Sequence, residues 1–295
     1  MATIGFIGLG TMGRLMAARL LKAGHIVRAH DIVSASVDAL VAQGAVKAGS
    51  IAGAAEGADV VVLMLPDTPD VEAVVHGQDG LLAHPPPGRL IIDMSTIAAG
   101  AARSLASAFA EKGVAWLDAP VSGGPQGAET GALSIMVGGA ADAFATAEPI
   151  LAAMGTTIRH VGEAGAGQTV KACNQLICAM NLQAICEALA LGRANGVDLA
   201  LLREVLMGGA AGSWMLQNLA PKMIAGDASA GFRIDLKLKD LRLAGEMAFA
   251  AGLPLPGLAL ATSLYLEARA HCEGNNGNQG LFRTYDRMTN QEGRR

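Results

Sequence analysis

The residue best placed for proton chemistry is Lys171, in the run Gly167-Gln168-Thr169-Val170-Lys171-Ala172-Cys173-Asn174-Gln175. If this run is helical, Asn174 (i+3) and Gln175 (i+4) share the lysine's face. The flanking residues are mostly apolar, so the three would form a polar patch on a largely buried helix. An ammonium in such a patch loses hydration and its pKa falls. That suits it to pass a proton to a carbonyl oxygen, while the amides of Asn174 or Gln175 hydrogen-bond a substrate and hold the ammonium. A lone lysine on a helix is more often solvated surface, and position alone leaves that alternative open.

Asp118-Ala119-Pro120-Val121-Ser122-Gly123-Gly124 follows a strand-like run. Successive backbone N–H groups at Ser122, Gly123 and Gly124 can form an anion-binding nest suited to a small carboxylate. An ordinary Pro/Ser/Gly turn is the competing reading. Two more loops, Leu63-Met64-Leu65-Pro66-Asp67 and Ile92-Asp93-Met94-Ser95-Thr96, are expected at the carboxyl ends of parallel strands, where open α/β sheets bind ligands.

The most informative spacing is Gly8-Leu9-Gly10-Thr11-Met12-Gly13. Gly-x-Gly-x-x-Gly means little by itself in a chain with 38 glycines. Here it follows a β-rich run and opens a helical one, which is the context of a dinucleotide turn. Gly8 permits the tight turn, Gly10 lets the backbone approach a pyrophosphate, and Gly13 lets helix and strand pack closely. The N–H groups and positive dipole end of the helix serve the phosphates. Asp31, at the end of the second strand, is placed to accept hydrogen bonds from the adenosine ribose and to repel a 2′-phosphate. No arginine follows at Ile32 or Val33, so NAD is expected over NADP. Arg28 and Arg14 keep NADP possible.

Other chemistries lack their residues. There is no Gly-x-Ser-x-Gly, His-Glu-x-x-His or Gly-Lys-Ser/Thr pattern, and no metal-ligating cluster among the scattered histidines; His25 and His30 read as structural. Net charge is −4 and aromatics are 3%, which argues against nucleic acid and anionic membrane as partners. Cys173, Cys178, Cys186 and Cys272 form no C-x-x-C pair and read as small buried hydrophobes in a reducing compartment. The N-terminus begins directly with Thr3-Ile4-Gly5-Phe6-Ile7 and shows no signal peptide, and no apolar run reaches membrane-span length. A cytoplasmic location is the expectation.

The elements that must position these residues follow a simple pattern. Ile4–Ile7, Ile26–His30, Val60–Leu65, Leu90–Met94 and Ala115–Ala119 read as buried strands, with Leu133–Val137 and Arg159–Val161 as later ones. Helical stretches such as Met12–Ala23 and Ala101–Lys112 lie between, implying βαβ units and a parallel sheet. After the breaker Gly165-Ala166-Gly167 a helix runs to Asn195, with Gly196 as its stop. Leu199–Met207, Met215–Ile224, Leu238–Ala251 and Leu258–Cys272 follow as helices, then a weaker one at Phe282–Met288. The expectation is an α/β Rossmann domain over residues 1–163 and an all-helical domain over 164–295, joined by the long helix.

Taken together, these motifs resemble the β-hydroxyacid dehydrogenase family over nearly the whole chain. The resemblance rests on Gly5 through Gly13, Asp93-Met94-Ser95-Thr96, Asp118 through Gly124, and Gly165 through Lys171 with Asn174. It also includes Phe232-Arg233-Ile234-Asp235-Leu236 and Lys239-Asp240-Leu241. It implies an active site between the two domains and an NAD(P)-dependent reaction on a short β-hydroxy acid or its semialdehyde. Lys171 would be the general acid/base. Ser122, Gly123 and Gly124 would bind the substrate carboxylate, and Asn174 and Gln175 would orient the substrate. Thr11, Met12, Asp31, Leu65, Pro66, Thr96, Phe232 and Lys239 would contact the cofactor. Many members carry Asn-Asn after the lysine; Asn174-Gln175 is closer to the tartronate semialdehyde reductases, as is Ala211-Gly212-Ser213. The 3-hydroxyisobutyrate, glyoxylate/succinic semialdehyde and serine-type substrates remain open. Assembly into a dimer or tetramer is expected. A non-catalytic Rossmann module would not be expected to keep both Lys171 and the Ser-Gly-Gly turn. A decarboxylating 6-phosphogluconate dehydrogenase would need a basic cluster for its substrate's phosphate, and none is evident near Lys171.

Overall fold

The computed structural model describes residues 1–88 and 90–289. The chain separates into two compact units, Met1–Lys171 and Ala172 onward, and the division falls within a single helix, Ala166–Ala194.

The first unit is built on nine strands: β1 (Thr3–Ile7), β2 (Ile26–His30), β3 (Val46–Lys47), β4 (Val60–Leu63), β5 (Leu90–Asp93), β6 (Ala115–Asp118), β7 (Val121–Ser122), β8 (Leu133–Gly138) and β9 (Gly155–Gly162). Their order is β3-β2-β1-β4-β5-β6-β8-β7, with β9 paired to β8. From β3 to β6 every pairing is parallel. This is a Rossmann sheet, and its order reverses between β1 and β4. The central strands β1, β4 and β5 are almost wholly buried, as continuous apolar runs such as Val60-Val61-Val62-Leu63 require of a sheet covered on both faces. One cluster around Phe6, Met16, Leu20 and Ile92 covers one face; another around Leu63, Val75, Ile91 and Phe109 covers the other.

The expected parallel sheet holds from β3 to β6 and gives way to antiparallel pairing at one edge. β8 runs antiparallel to both β6 and β7. A two-residue strand such as β7 carries no readable periodicity, and the turn residues around it hide the reversal. In the second unit, Met215–Ile224 is two short helices, Trp214–Asn218 and Ala220–Ile224, because Pro221 starts a new helix. Helices Ile234–Ala250 and Pro256–Ala270 and the terminal Phe282–Met288 pack with Ala179, Leu182, Cys186 and Leu189 around a core containing Tyr265 and Phe282. All four cysteines are free, but only Cys186 is buried; Cys173 and Cys272 are exposed, contrary to the buried reading. Helix Ala166–Ala194 is long and apolar enough to cross a membrane by length and composition, which the sequence reading did not anticipate. It nevertheless carries Lys171, Asn174 and Gln175.

Candidate functional site

In the first unit, the sites singled out in the sequence gather at the carboxyl ends of β1, β2, β4, β5 and β6. The glycine turn after β1 separates into two kinds of constraint. Gly8 has φ +96°, and a Cβ there would lie 2.4 Å from the Met64 carbonyl. A Cβ on Gly13 would lie 1.9 Å from the Gly8 carbonyl. Both glycines are required by the protein itself. Gly10 is not: its φ is not left-handed, and a Cβ there would meet nothing within 4 Å. Open space in front of a backbone that neither packing nor φ requires to be bare fits a ligand lying against it. Helix Gly13–Lys22 receives no side-chain cap from Met12; the N–H groups of Arg14, Leu15 and Met16 donate to the Gly10 and Met12 carbonyls, so what this helix offers an anion is its positive dipole end. By contrast, helix Thr68–His76 has a complete capping box from Asp67 and Asp70.

Asp31 ties this turn to the end of β2. Its Oδ2 accepts from the Leu9 N–H at 2.5 Å and its Oδ1 from the Val33 N–H at 2.7 Å. The carboxylate is thereby aimed, with lone pairs to spare for further donors. Arg28 is committed elsewhere: it donates to the Gly53 carbonyl at 3.1 and 2.8 Å and pairs with Glu56 at 3.5 Å. The loop after β4, Leu65-Pro66, is fixed to the loop after β5 because the Leu65 N–H donates to Ser95 Oγ at 2.9 Å. Thr96 is half-buried beside it.

A buried polar relay that sequence reading missed holds these loops to the start of the long helix. Asp118 is fully buried; its carboxylate accepts from the Gly165 N–H at 2.7 Å and the Gln168 N–H at 2.9 Å. It therefore satisfies N–H groups at a helix start that has no other acceptor within the helix. Burial pushes the Asp118 carboxyl above its usual range, while the peptide donors pull the other way. The Gln168 side chain continues the relay: Nε2 donates to the Ser95 carbonyl at 2.9 Å and Oε1 accepts from the Ile97 N–H at 3.1 Å. The first turn of the helix is thus fixed against the loops after β5 and β6.

One turn further on is Lys171, only 7% exposed, with its Nζ donating to the Val121 carbonyl at 2.6 Å. The surface-lysine alternative does not hold. That bond fixes the ammonium at the residue preceding Ser122-Gly123-Gly124. Gly123 and Gly124 have φ +128° and +62°, consecutive conformations that favour glycine.

In the second unit, the candidate side chains form a separate chain of hydrogen bonds. Asn174 Nδ2 donates to Gln175 Oε1 at 3.2 Å, and Gln175 Nε2 donates to Asp240 Oδ2. Lys239 pairs with Asp240 at 2.9 Å. Lys237, 1% exposed, places Nζ 3.5 Å from the Gln175 carbonyl and 5.3 Å above the Phe232 ring. The sequence marks Asn174, Gln175, Phe232 and Lys239 as site residues; it contains Asp240 only within the motif Lys239-Asp240-Leu241, with no role, and does not single out Lys237. Their phase was a usable signal: Ile234, Lys237, Leu241, Ala244 and Ala248 recur at three and four residues. A lysine in a core stripe requires polar company.

Residues 3–162 match the family model described as the NAD binding domain of 6-phosphogluconate dehydrogenase. Residues 165–285 match that described as NAD-binding of NADP-dependent 3-hydroxyisobutyrate dehydrogenase. An NAD-dependent L-serine dehydrogenase of Pseudomonas aeruginosa is 46% identical over 272 residues, covering 90% of this chain and 91% of the relative. A 3-hydroxyisobutyrate dehydrogenase of the same organism is 46% identical over 284 residues, 93% of this chain and 95% of the relative. Among solved structures, Mycobacterium tuberculosis 3-hydroxyisobutyrate dehydrogenase with L-serine superposes with a TM-score of 0.89 at 34% identity, covering 97% of this chain and 99% of that one. The chain therefore belongs to the β-hydroxyacid dehydrogenase family of NAD(P)-dependent oxidoreductases.

Proposed function

We propose that the enzyme interconverts a β-hydroxy acid of three or four carbons and its semialdehyde, with Lys171 as general acid/base and NAD preferred over NADP. The observation that carries this is the buried Lys171 ammonium held 2.6 Å from the Val121 carbonyl, immediately before Ser122-Gly123-Gly124. The nicotinamide supplies or accepts the hydride at the substrate carbon. Lys171 gives a proton to the carbonyl oxygen during reduction and takes it back from the hydroxyl during oxidation. The N–H groups of Ser122, Gly123 and Gly124 hold the substrate carboxylate, and Asn174 and Gln175 orient the reacting end. Gly8, Gly10, Thr11, Met12 and Gly13 cradle the pyrophosphate, and Asp31 accepts from the ribose. Leu65, Pro66, Thr96, Phe232 and Lys239 complete the cofactor contacts. NAD is favoured because Asp31 opposes a 2′-phosphate and Arg28 is engaged with Gly53 and Glu56. The reading places the enzyme in the cytoplasm as a homo-oligomer.

The pair Asn174-Gln175 supports tartronate semialdehyde, reduced to glycerate, as the substrate. A second reading, L-serine or 3-hydroxyisobutyrate, is favoured by the two relatives at 46% identity. A kcat/KM panel of three- and four-carbon semialdehydes and hydroxy acids, each with NAD(H) and NADP(H), decides between them. Tartronate semialdehyde should exceed the others at least tenfold on the first reading, and L-serine or 3-hydroxyisobutyrate on the second. No turnover of any of them would overturn the proposal.

A further inference from the structure

Asn174 and Gln175 belong to a line of hydrogen bonds in the second unit that starts from a group able only to accept. Asp240, 3% exposed, pairs with the Lys239 ammonium at 2.9 Å. A carboxylate so paired has no proton to donate. Gln175, 5% exposed, must therefore turn its nitrogen toward it, and Gln175 Nε2 donates to Asp240 Oδ2. That leaves Gln175 Oε1 facing the next amide, and an amide oxygen only accepts. Asn174 must in turn present its own nitrogen, and its Nδ2 donates to Gln175 Oε1 at 3.2 Å. The main chain of Gln175 is held as well, with Lys237 Nζ at 3.5 Å from its carbonyl. Each bond sets the sense of the next, and bonds in such a line polarise one another. Asp240 thus decides, two side chains away, which end of Asn174 is left over.

The end left over is the carbonyl. Asn174 is half-buried, and among the described residues no donor reaches its Oδ1. Asn174 follows Lys171 by three residues on the helix Ala166–Ala194. An acceptor at that place restricts what a substrate can bring to it. The substrate carboxylate is itself an acceptor. So is the aldehyde oxygen that takes a proton from Lys171. In the oxidative direction the C3 hydroxyl has one proton, and that proton goes to the lysine. On a three-carbon acid this leaves the substituent on C2. A hydroxyl or an ammonium there can donate to Oδ1. A methyl group would cover Oδ1 without bonding it, and an acceptor desolvated without a partner is costly.

We propose that the line Asp240–Gln175–Asn174 selects substrates that carry a hydrogen-bond donor on C2, with Asp240 and Gln175 as positioning residues acting through Asn174. The inference rests on the reading that Lys171 and Asn174 face the substrate. Glycerate, tartronate semialdehyde and serine meet the requirement. 3-Hydroxyisobutyrate, with a methyl group on C2, does not.

The test gives the full-length enzyme racemic glycerate, serine and 3-hydroxyisobutyrate with NAD, three acids that differ only at C2. The kcat/KM of glycerate or serine should exceed that of 3-hydroxyisobutyrate by about 10- to 100-fold, the range for an acceptor left unpaired. Gln175→Met keeps the length of the side chain and breaks the line. Asp240→Asn can offer an N–H, which lets both amides turn over. Either variant should bring the ratio to within about threefold of one; a merely structural role would lower all three acids together and leave the ratio unmoved. Calorimetric titration of lactate and isobutyrate into the NADH-saturated enzyme reads the same contrast without turnover, because neither acid has a C3 oxygen. Lactate should bind at least tenfold more tightly than isobutyrate to the wild type, and equally to Gln175→Met. A wild-type ratio near one, or a ratio that survives both variants, would overturn the proposal while leaving the Lys171 reaction standing. Turnover of none of the acids, with lactate still preferred, would overturn the Lys171 reaction and support the selection at C2. Turnover of none, with no preference for lactate, would overturn both.

Discussion

The contrast between Gly10 and Gly13 allows stability and cofactor binding to be separated within four residues. A Cβ on Gly13 would sit 1.9 Å from the Gly8 carbonyl, and the obstructing atom is main chain that cannot swing aside. Relief requires shifting the turn or the helix start, an overpacking cost of about 3 kcal/mol. For a unit of this size that lowers Tm by about 6–12 °C. A Cβ on Gly10 meets no protein atom within 4 Å and no left-handed φ. Gly10→Ala should therefore leave Tm unchanged or raise it slightly, since alanine restricts the unfolded chain by about 0.4–1 kcal/mol. Its effect should fall on the cofactor. A methyl group between the backbone and the pyrophosphate forfeits charge-assisted hydrogen bonds to the main-chain N–H groups of the glycine turn, worth about 1.5–3 kcal/mol. That corresponds to a rise of about 10- to 150-fold in the NADH dissociation constant. Calorimetric titration with NADH and thermal melts of both variants measure the two quantities. NADH affinity within threefold of wild type in Gly10→Ala, or a loss of Tm equal to that of Gly13→Ala, would refute the reasoning.

Three further outcomes are expected. Lys171→Ala should lower kcat by about 10²- to 10⁴-fold with NADH binding intact, measured by steady-state kinetics and titration; an unchanged kcat removes the lysine from the chemistry. Asp31→Ser should raise the NADPH-to-NADH ratio of kcat/KM at least tenfold, because Arg28 is held at Gly53 and Glu56 and the main barrier to a 2′-phosphate is the carboxylate; a ratio that does not move would count against it. Glu267 accepts two hydrogen bonds from Arg287 at 2.8 Å each, and these hold its carboxyl below the usual glutamate range. Its folded pKa is depressed, so its stabilisation is present above the unfolded value and is lost as pH falls through the folded one. Urea melts from neutral pH into acid should show that loss, and Arg287→Met should flatten it; an identical acid limb in the variant would show that the pair is not its source.

What could be read from the sequence depends on how far apart the interacting residues lie. The glycine turn, Asp31 and the long helix are local: a β run, three glycines at fixed spacing and a helical run are enough to place them. The helix Leu199–Met207 is readable for the same reason. Lys237 and Asp240 were within reach, because a charged residue at the buried phase of an amphipathic stripe announces itself before its partners are known. The relay from Asp118 through Gln168 to Ser95 was not. Its members are 50 and 73 residues apart, and each alone is an ordinary polar residue beside a turn. Lys171 shows where the division falls. Its type and its neighbours Asn174 and Gln175 could be read, but what holds the ammonium is the carbonyl of Val121, 50 residues away. A main-chain acceptor leaves no trace in side-chain identity; any residue at 121 would offer the same oxygen. It is the antiparallel β7–β8 pairing, the least readable part of the sheet, that brings that oxygen to the lysine. The irregular edge of the sheet therefore fixes the ammonium of a helical lysine in place.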